Sequence, residues 1–591
     1  MELRKSWSWM WAPALLAAVV YAPVAGFDFV NYDDSSYFYE NSRVLGGLTV
    51  ENARWAFEIH GPSMWIPLTW LSHQAMVSLF GSDAGPHHVL NLVLHALNSA
   101  LLALWLARAV GSRWLALGVA SVFAVHPIHV ESVAWVTERK DVLSMAFCLL
   151  ALLAHERRAR GGGWRWWVAM LVFHTLAVMA KPLAVTLPCV MLLLDACPYR
   201  RQLTKGVVAE KMPLLAVSAL GSWLTVLCQT SMGAIASGDD FPLPMRLANA
   251  VVSYATYVRR LFLPDDLMVY YPYPDGVPAA MWIPALGLLA VVSWGVWRLR
   301  RAVPLAGIGW LWFLGTLVPM IGLVQAGGSA MANRYAYFTF IGLYLALFAG
   351  LAAAMKRWPE AKPYLAGAIG AAVVLLVGLG RHQVRVWRDS ESLFRHALSV
   401  SETNHLAQNN LGLALMAKGR AVEARQHYLA ALAANPGYVQ ALNNLGILEA
   451  ESGRPGEAGQ RFEEVVARQP DHAIAWHNLG KVRVELGFPD AARVAFRRAI
   501  ELRPDFAMPR YDLAGLEISL GRWEESLVEL DALIESVPDH ANAWTNRGFV
   551  LAKLGRPAEA AAAYRRAEEL GSSQARINLR LLSEETAPRG E

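Results

Sequence analysis

The chain has 591 residues, 55% hydrophobic and 17% charged, with 53 Lys and Arg against 48 Asp and Glu and a formal net charge of +5. That length exceeds one ordinary domain, that apolar content exceeds a soluble chain, and 10% aromatic residues exclude disorder as the main state. No run of six or more Lys or Arg occurs, so the footprint of a nucleic-acid partner is missing.

The long apolar runs lie in 1–380, while 381–591 reads as an ordinary soluble helical sequence. Arg4 and Lys5 precede an apolar stretch from Trp9 to about Phe29 with no convincing small-residue cleavage site behind it. It reads as a retained first membrane helix rather than a signal peptide. A span needs roughly 17–25 mostly apolar residues. Spans are predicted near 9–29, 88–107, 114–126, 141–154, 166–180, 182–197, 212–230, 281–297, 304–322, 336–354 and 363–380, eleven in all and several of them short. Arg4/Lys5, Arg108/Arg113, Arg157/Arg158/Arg160, Arg200/Arg201/Lys205/Lys211, Arg298/Arg300/Arg301 and Lys356/Arg357 fall on alternate loops, which are therefore expected to be cytoplasmic. An odd span count then puts residue 381 onward on the far side, periplasm or lumen. The apolar segment 245–263 holds Arg246, Arg259 and Arg260 and is expected to lie as an interfacial helix on the outer face. The four cysteines, Cys148, Cys189, Cys197 and Cys228, lie in or beside apolar segments without a CxxC pair, which points to neither a disulfide framework nor a metal site.

The soluble half repeats every 34 residues. Leu411-Gly412, Leu445-Gly446 and Leu479-Gly480 degenerate to Leu513-Ala514 and Arg547-Gly548. Gly419, Gly453, Gly487, Gly521 and Gly555 keep the same step, as do Ala424, Ala458, Ala492, Ser526 and Ala560, and Pro436, Pro470, Pro504 and Pro538. These are five tetratricopeptide repeats over 405–574. The first small residue lets helix A approach helix B, the second glycine ends helix A, and the proline cannot continue helix B. A connecting helix is expected within 381–404, and a cap with a tail over 575–591. The fold class is all-α, a polytopic membrane domain over 1–380 followed by an α-solenoid. The solenoid suits a protein or peptide partner, or acts as a spacer or oligomerisation arm.

The unusual residues cluster in the outer loops. Asp33 and Asp34 follow the first span directly, and carboxylates there are costly unless they are solvated or used. One carboxylate beside a membrane cavity can deprotonate a hydroxyl or help hold a cation. The flanks of loop 125–141 are short, so the loop is expected to dip to membrane depth inside the protein. It carries His126, His129, Glu131 and Arg139. The two histidines fit either weak metal ligands or buried residues with satisfied hydrogen bonds. Lys181 precedes Pro182 at a turn between short spans, and Arg334 opens another span from the outer side. Arg139, Lys181 and Arg334 on one face suit an anionic ligand such as a lipid phosphate, or simply lipid headgroups.

In order along the chain stand Asn31-x-Asp33-Asp34, Pro86-His87-His88-x-x-Asn91-x-x-x-His95, the stretch 125–141, about eleven spans and the repeats. This arrangement resembles the transmembrane and tetratricopeptide repeat O-mannosyltransferases, C-type membrane glycosyltransferases that use polyprenyl-phosphate sugars. Where that family usually shows Tyr-Arg-Pro-Leu, this chain has Trp65-Ile66-Pro67-Leu68. The resemblance implies an integral protein of the inner or endoplasmic reticulum membrane. It would move mannose or a similar hexose from a polyprenyl phosphate to protein Ser/Thr hydroxyls, with inversion. It implies Asp34 first, then Asp33, as catalytic base, with Glu131 beside them and Arg334, Lys181 and Arg139 on the donor phosphate. His126 and His129 would orient a substrate. A divalent cation, Mg²⁺ or Mn²⁺, is one group the two aspartates could share. The alternatives are a non-catalytic envelope scaffold, or a transferase with a lipid or polysaccharide acceptor.

Overall fold

The computed structural model describes residues 7–59, 64–231, 241–274, 276–323 and 327–586, without the side chains of Trp7, Ser231, Glu585 and Thr586. Arg4 and Lys5, the first cations of the orientation argument, lie outside these residues. Among the described residues the regular structure is helical, apart from one isolated bridge between Pro272 and Ser329. The chain divides into two compact units, Met1–Leu411 and Gly412–Glu591.

In the first unit six helices are long and apolar enough to cross a bilayer. They are Ser8–Gly26, Ala84–Val110, Lys205–Thr230, Ala279–Leu299, Asn333–Arg357 and Pro359–Val386. The chain is therefore a membrane protein. A seventh candidate is the pair Arg113–Val125 and Pro127–Ala134, bent by 56°. Eleven is reached by adding the shorter apolar helices Trp164–Ala180, Pro182–Ala196 and Pro304–Leu317, and the charged-ended Arg139–Ala159.

The bend has a local cause. His126 precedes Pro127, a position that disfavours helical backbone, and it adopts φ −66°, ψ 127°. Short turns Pro127–His129, Val130–Ala134 and Val136–Glu138 follow before Arg139–Ala159 begins. Every residue from 122 to 142 is buried, so the loop does run inside the protein. The helix Ala84–Val110 frames it through one polar face of residues three to four apart. Asn91 Nδ2 donates to the Trp135 carbonyl (2.9 Å), Asn98 Nδ2 to the Val142 carbonyl (2.8 Å), and His95 Nε2 meets the Ala124 carbonyl (3.1 Å). These bonds tie the buried loop and the start of the next helix to Ala84–Val110.

The second unit carries the helix pairs expected from the 34-residue period, among them Val439–Glu451 with Pro455–Arg468 and Ala473–Glu485 with Pro489–Leu502. A Cβ on Gly446 would stand 2.8 Å from the Phe462 ring, which is why helix A keeps a glycine there. Gly453 takes φ +72° to end the same helix. Helix Ser573–Thr586 covers the last pair.

Candidate functional site

The first loop turns at Asn31, Tyr32 and Asp33, and the carboxylates of Asp33 and Asp34 part company there. Asp34 is 1% exposed. Its Oδ2 accepts the Val30 amide (2.9 Å), and its Oδ1 accepts both the amide (3.1 Å) and the hydroxyl of Thr137. Asp34 thus pins the first loop to the buried loop. Burial pushes its carboxyl up to about 6, against the pull of those hydrogen bonds. Asp33 is partly exposed, and among the described residues its carboxylate receives no hydrogen bond. Burial raises its pKa, Lys140 and Arg334 pull it down, and Glu138 adds to the rise.

The cations beside Asp33 are embedded in a buried ionic cluster. Arg334 pairs with Glu131 at 2.7 Å, reaches Glu138 at 3.5 Å, and lies over the Trp135 ring at 5.7 Å. Its side chain keeps 19% exposure, whereas Glu131 and Glu138 keep 2% or less. Lys140 pairs with Glu138 at 3.2 Å and sits over the Tyr37 ring at 4.5 Å. Lys181, held extended ahead of Pro182, bonds Glu138 at 3.0 Å and Asp141 at 2.6 Å, and Ser132 donates to the other oxygen of Asp141. Buried charges persist only when paired in this way. The result is a fixed field around one accessible carboxylate and one accessible guanidinium.

Of the expected site residues, the structure brings together Asp33, Asp34, Glu131, Lys181 and Arg334. It places the others elsewhere. Arg139 was expected on a donor phosphate. It is instead fully buried and gives its hydrogen bonds to Asn91 Oδ1, Ser72 Oγ (3.1 Å) and the His87 carbonyl (2.7 Å). It frames the loop. His126 and His129, expected to orient substrate, are fully buried core residues. His126 Nδ1 accepts the Ile128 amide, and His129 Nε2 contacts the Tyr344 hydroxyl at 2.9 Å among Phe123, Tyr337 and Phe340. Lys181 belongs to the cluster but is saturated by two carboxylates. Sequence reasoning missed Glu138 and Lys140. Thr137 and Lys140 lie three apart and both turn toward the first loop, while Arg139 turns toward helix Ala84–Val110.

The residues do not fit a shared divalent ion. Asp34 is taken up by three donors, and the groups facing Asp33 include the cations Lys140 and Arg334, where a metal would need further oxygens. Among the described residues no group of three or more His, Cys, Asp or Glu side chains converges as a metal set.

Comparison with known proteins supports both parts. Residues 66–226 match the family described as dolichyl-phosphate-mannose-protein mannosyltransferase. Tetratricopeptide repeat families match 384–439, 415–482, 477–530 and 511–575. The chain is 32% identical over 197 residues to protein O-mannosyl-transferase Tmtc2 of Drosophila melanogaster, covering 30% of this chain and 21% of that one. It is 26% identical to human TMTC1 over 64% of this chain and 48% of that one, and 27% identical to human TMTC4 over 70% and 64%. It thus spans between a fifth and two thirds of the relatives' length. Among solved structures, the tetratricopeptide repeat protein YrrB covers 32% of this chain at 22% identity, with a TM-score of 0.29 and 97% of its own length covered. A mannosyltransferase-type segment in the membrane half, with tetratricopeptide repeats behind it, makes the chain similar to the protein O-mannosyl-transferases of the TMTC type.

Proposed function

We propose that the protein transfers a hexose, mannose or a near relative, from a polyprenyl-phosphate carrier to Ser/Thr hydroxyls of a protein. The observation that carries this reading is Asp33: a partly exposed carboxylate without a hydrogen bond of its own among the described residues, beside the guanidinium of Arg334. Asp33 takes the proton of the acceptor hydroxyl as its oxygen attacks the anomeric carbon. The bond from that carbon to the phosphate oxygen breaks on the opposite face, and the configuration inverts. The polyprenyl phosphate leaves as an anion and needs no general acid, so one carboxylate suffices where glycoside hydrolysis uses two. Arg334 stabilises the charge growing on the phosphate, with Lys140 adding to the field. Glu131 and Glu138 hold Arg334 in place, and Lys181 locks the cluster from behind.

In this reading 1–380 is the transferase domain, 381–404 connects, 405–574 holds the acceptor as an extended segment, and 575–591 supplies a capping helix and a tail. A tethered acceptor raises its local concentration at the site. The N-terminus faces the cytoplasm and the repeats face the periplasm or lumen.

The test is transfer from isotope-labelled dolichyl-phosphate mannose by the full-length protein in lipid nanodiscs, offered a defined set of Ser/Thr peptides and read by mass spectrometry. Labelled hexose on Ser or Thr, absent in Asp33→Asn, supports the proposal. Label appearing in lipid or polymer assigns a different acceptor, and no transfer to any acceptor leaves a membrane-anchored scaffold.

A further inference from the structure

We infer that Trp387 and Ser390, with the carbonyls of Arg388 and Asn410, position the catalytic loop from the segment that enters the repeats. This rests on Asp33 being the base. Its carboxylate has no hydrogen bond of its own among the described residues, so the backbone of the first loop must set its position. Three attachments of that loop come from the far end of the membrane unit. The Asp28 amide donates to the Arg388 carbonyl at 3.0 Å. The Asn31 amide donates to Ser390 Oγ at 2.9 Å, and Asn31 Nδ2 to the Asn410 carbonyl at 2.9 Å. Tyr32, the residue before Asp33, stacks on Trp135 at 5.3 Å, and Trp135 packs on Trp387 at 5.6 Å. Trp135 and Trp387 are 1% and 2% exposed, so they serve as a buried wedge and not as a surface for sugar. The same Trp135 ring lies under the Arg334 guanidinium. One indole thus meets the neighbour of the base, the Arg334 cation and Trp387.

The same segment is also tied to a different part of the unit. His396 Nε2 meets the Leu267 carbonyl at 3.0 Å, and Asn404 Nδ2 donates to the Tyr270 carbonyl at 3.0 Å. The His396 contact reaches neither the first loop nor Trp135, and it supplies the control. A base displaced by a fraction of an ångström loses attack geometry, and a shift of about 1 Å costs roughly a hundredfold in rate.

The experiment measures kcat, donor KM and melting temperature for full-length Trp387→Leu, Trp387→Phe, Ser390→Ala, His396→Ala and Asp33→Asn, with dolichyl-phosphate mannose and the same peptide set. Trp387→Leu is expected to lower kcat by roughly a hundredfold and Ser390→Ala by about tenfold, with donor KM within about twofold. Trp387→Phe keeps an aromatic face and should recover most of the rate. His396→Ala should transfer as the unaltered protein does. Unchanged kcat in both Trp387→Leu and Ser390→Ala, with Asp33→Asn inactive, overturns the positioning role and leaves the base assignment standing. A rate loss in His396→Ala equal to that in Ser390→Ala, tracking melting temperature, overturns it as well, since mere docking would then explain both. Full activity in Asp33→Asn removes the base assignment and this inference with it.

Discussion

The two adjacent aspartates make opposite predictions when each is replaced by asparagine. In Asp34→Asn the amide keeps one oxygen where the carboxylate had two. If that oxygen serves the amide and hydroxyl of Thr137, the Val30 amide faces an NH₂ group and loses its acceptor. A buried donor left unsatisfied costs about 1–3 kcal/mol, and the opposite amide orientation strands the Thr137 amide instead, its hydroxyl being able to accept. Asp34→Asn should therefore lower the melting temperature and loosen the loop. Asp33→Asn removes no hydrogen bond of the folded chain among the described residues, so its melting temperature should stay at the starting value. It removes the proton acceptor, and general-base groups contribute roughly 10²- to 10⁴-fold. The assay pairs mannose transfer in nanodiscs with thermal unfolding of the same preparations. Near-full transfer by Asp33→Asn, together with an inactive but fully stable Asp34→Asn, refutes the reasoning and returns the base to Asp34.

Transfer should depend on pH through Asp33, which must be charged to accept a proton. Burial raises its pKa above the usual carboxylate value near 3.9, so kcat/KM should fall on acidification already above pH ~4. Lys140→Met removes a cation that favours the carboxylate and should move this acid limb to higher pH; a shift downward contradicts the geometry. Arg334→Met should cut kcat by roughly 10²- to 10³-fold and strand the buried Glu131, at about 3–5 kcal/mol of stability; Arg334→Lys should restore stability more than rate. Arg139→Met should lower the melting temperature without raising the donor KM, and a raised KM in a stable protein would make Arg139 a phosphate ligand after all. Gly446→Ala presses a methyl onto the Phe462 ring and should cost about 1–3 kcal/mol in the solenoid, seen as a lower unfolding midpoint of that unit.

The helical architecture was legible because each of its signals is redundant. A span is written by about twenty residues, and the repeat is written by a glycine that recurs five times and a proline that recurs four times at the same step. Residue-level roles lack that redundancy, since consecutive residues in a helical turn point about 100° apart, and linear order does not say which of two like neighbours faces the cavity. The chain presents that ambiguity twice. Asp33 and Asp34 are adjacent carboxylates; Arg139 and Lys140 are adjacent cations. In each pair one member is consumed by the frame, Asp34 on Thr137 and Arg139 on Asn91, and the other faces the open turn. These are two halves of one arrangement: the framing members fasten the first loop and the helix Ala84–Val110 to the same four residues of buried loop, 137–140. Their neighbours, Asp33 and Lys140, are thereby brought to each other. A sequence with one acid and one cation at these positions would have to choose between holding the loop and serving the reaction. On the proposed assignment of Asp33 as base, the doubled charges remove that choice.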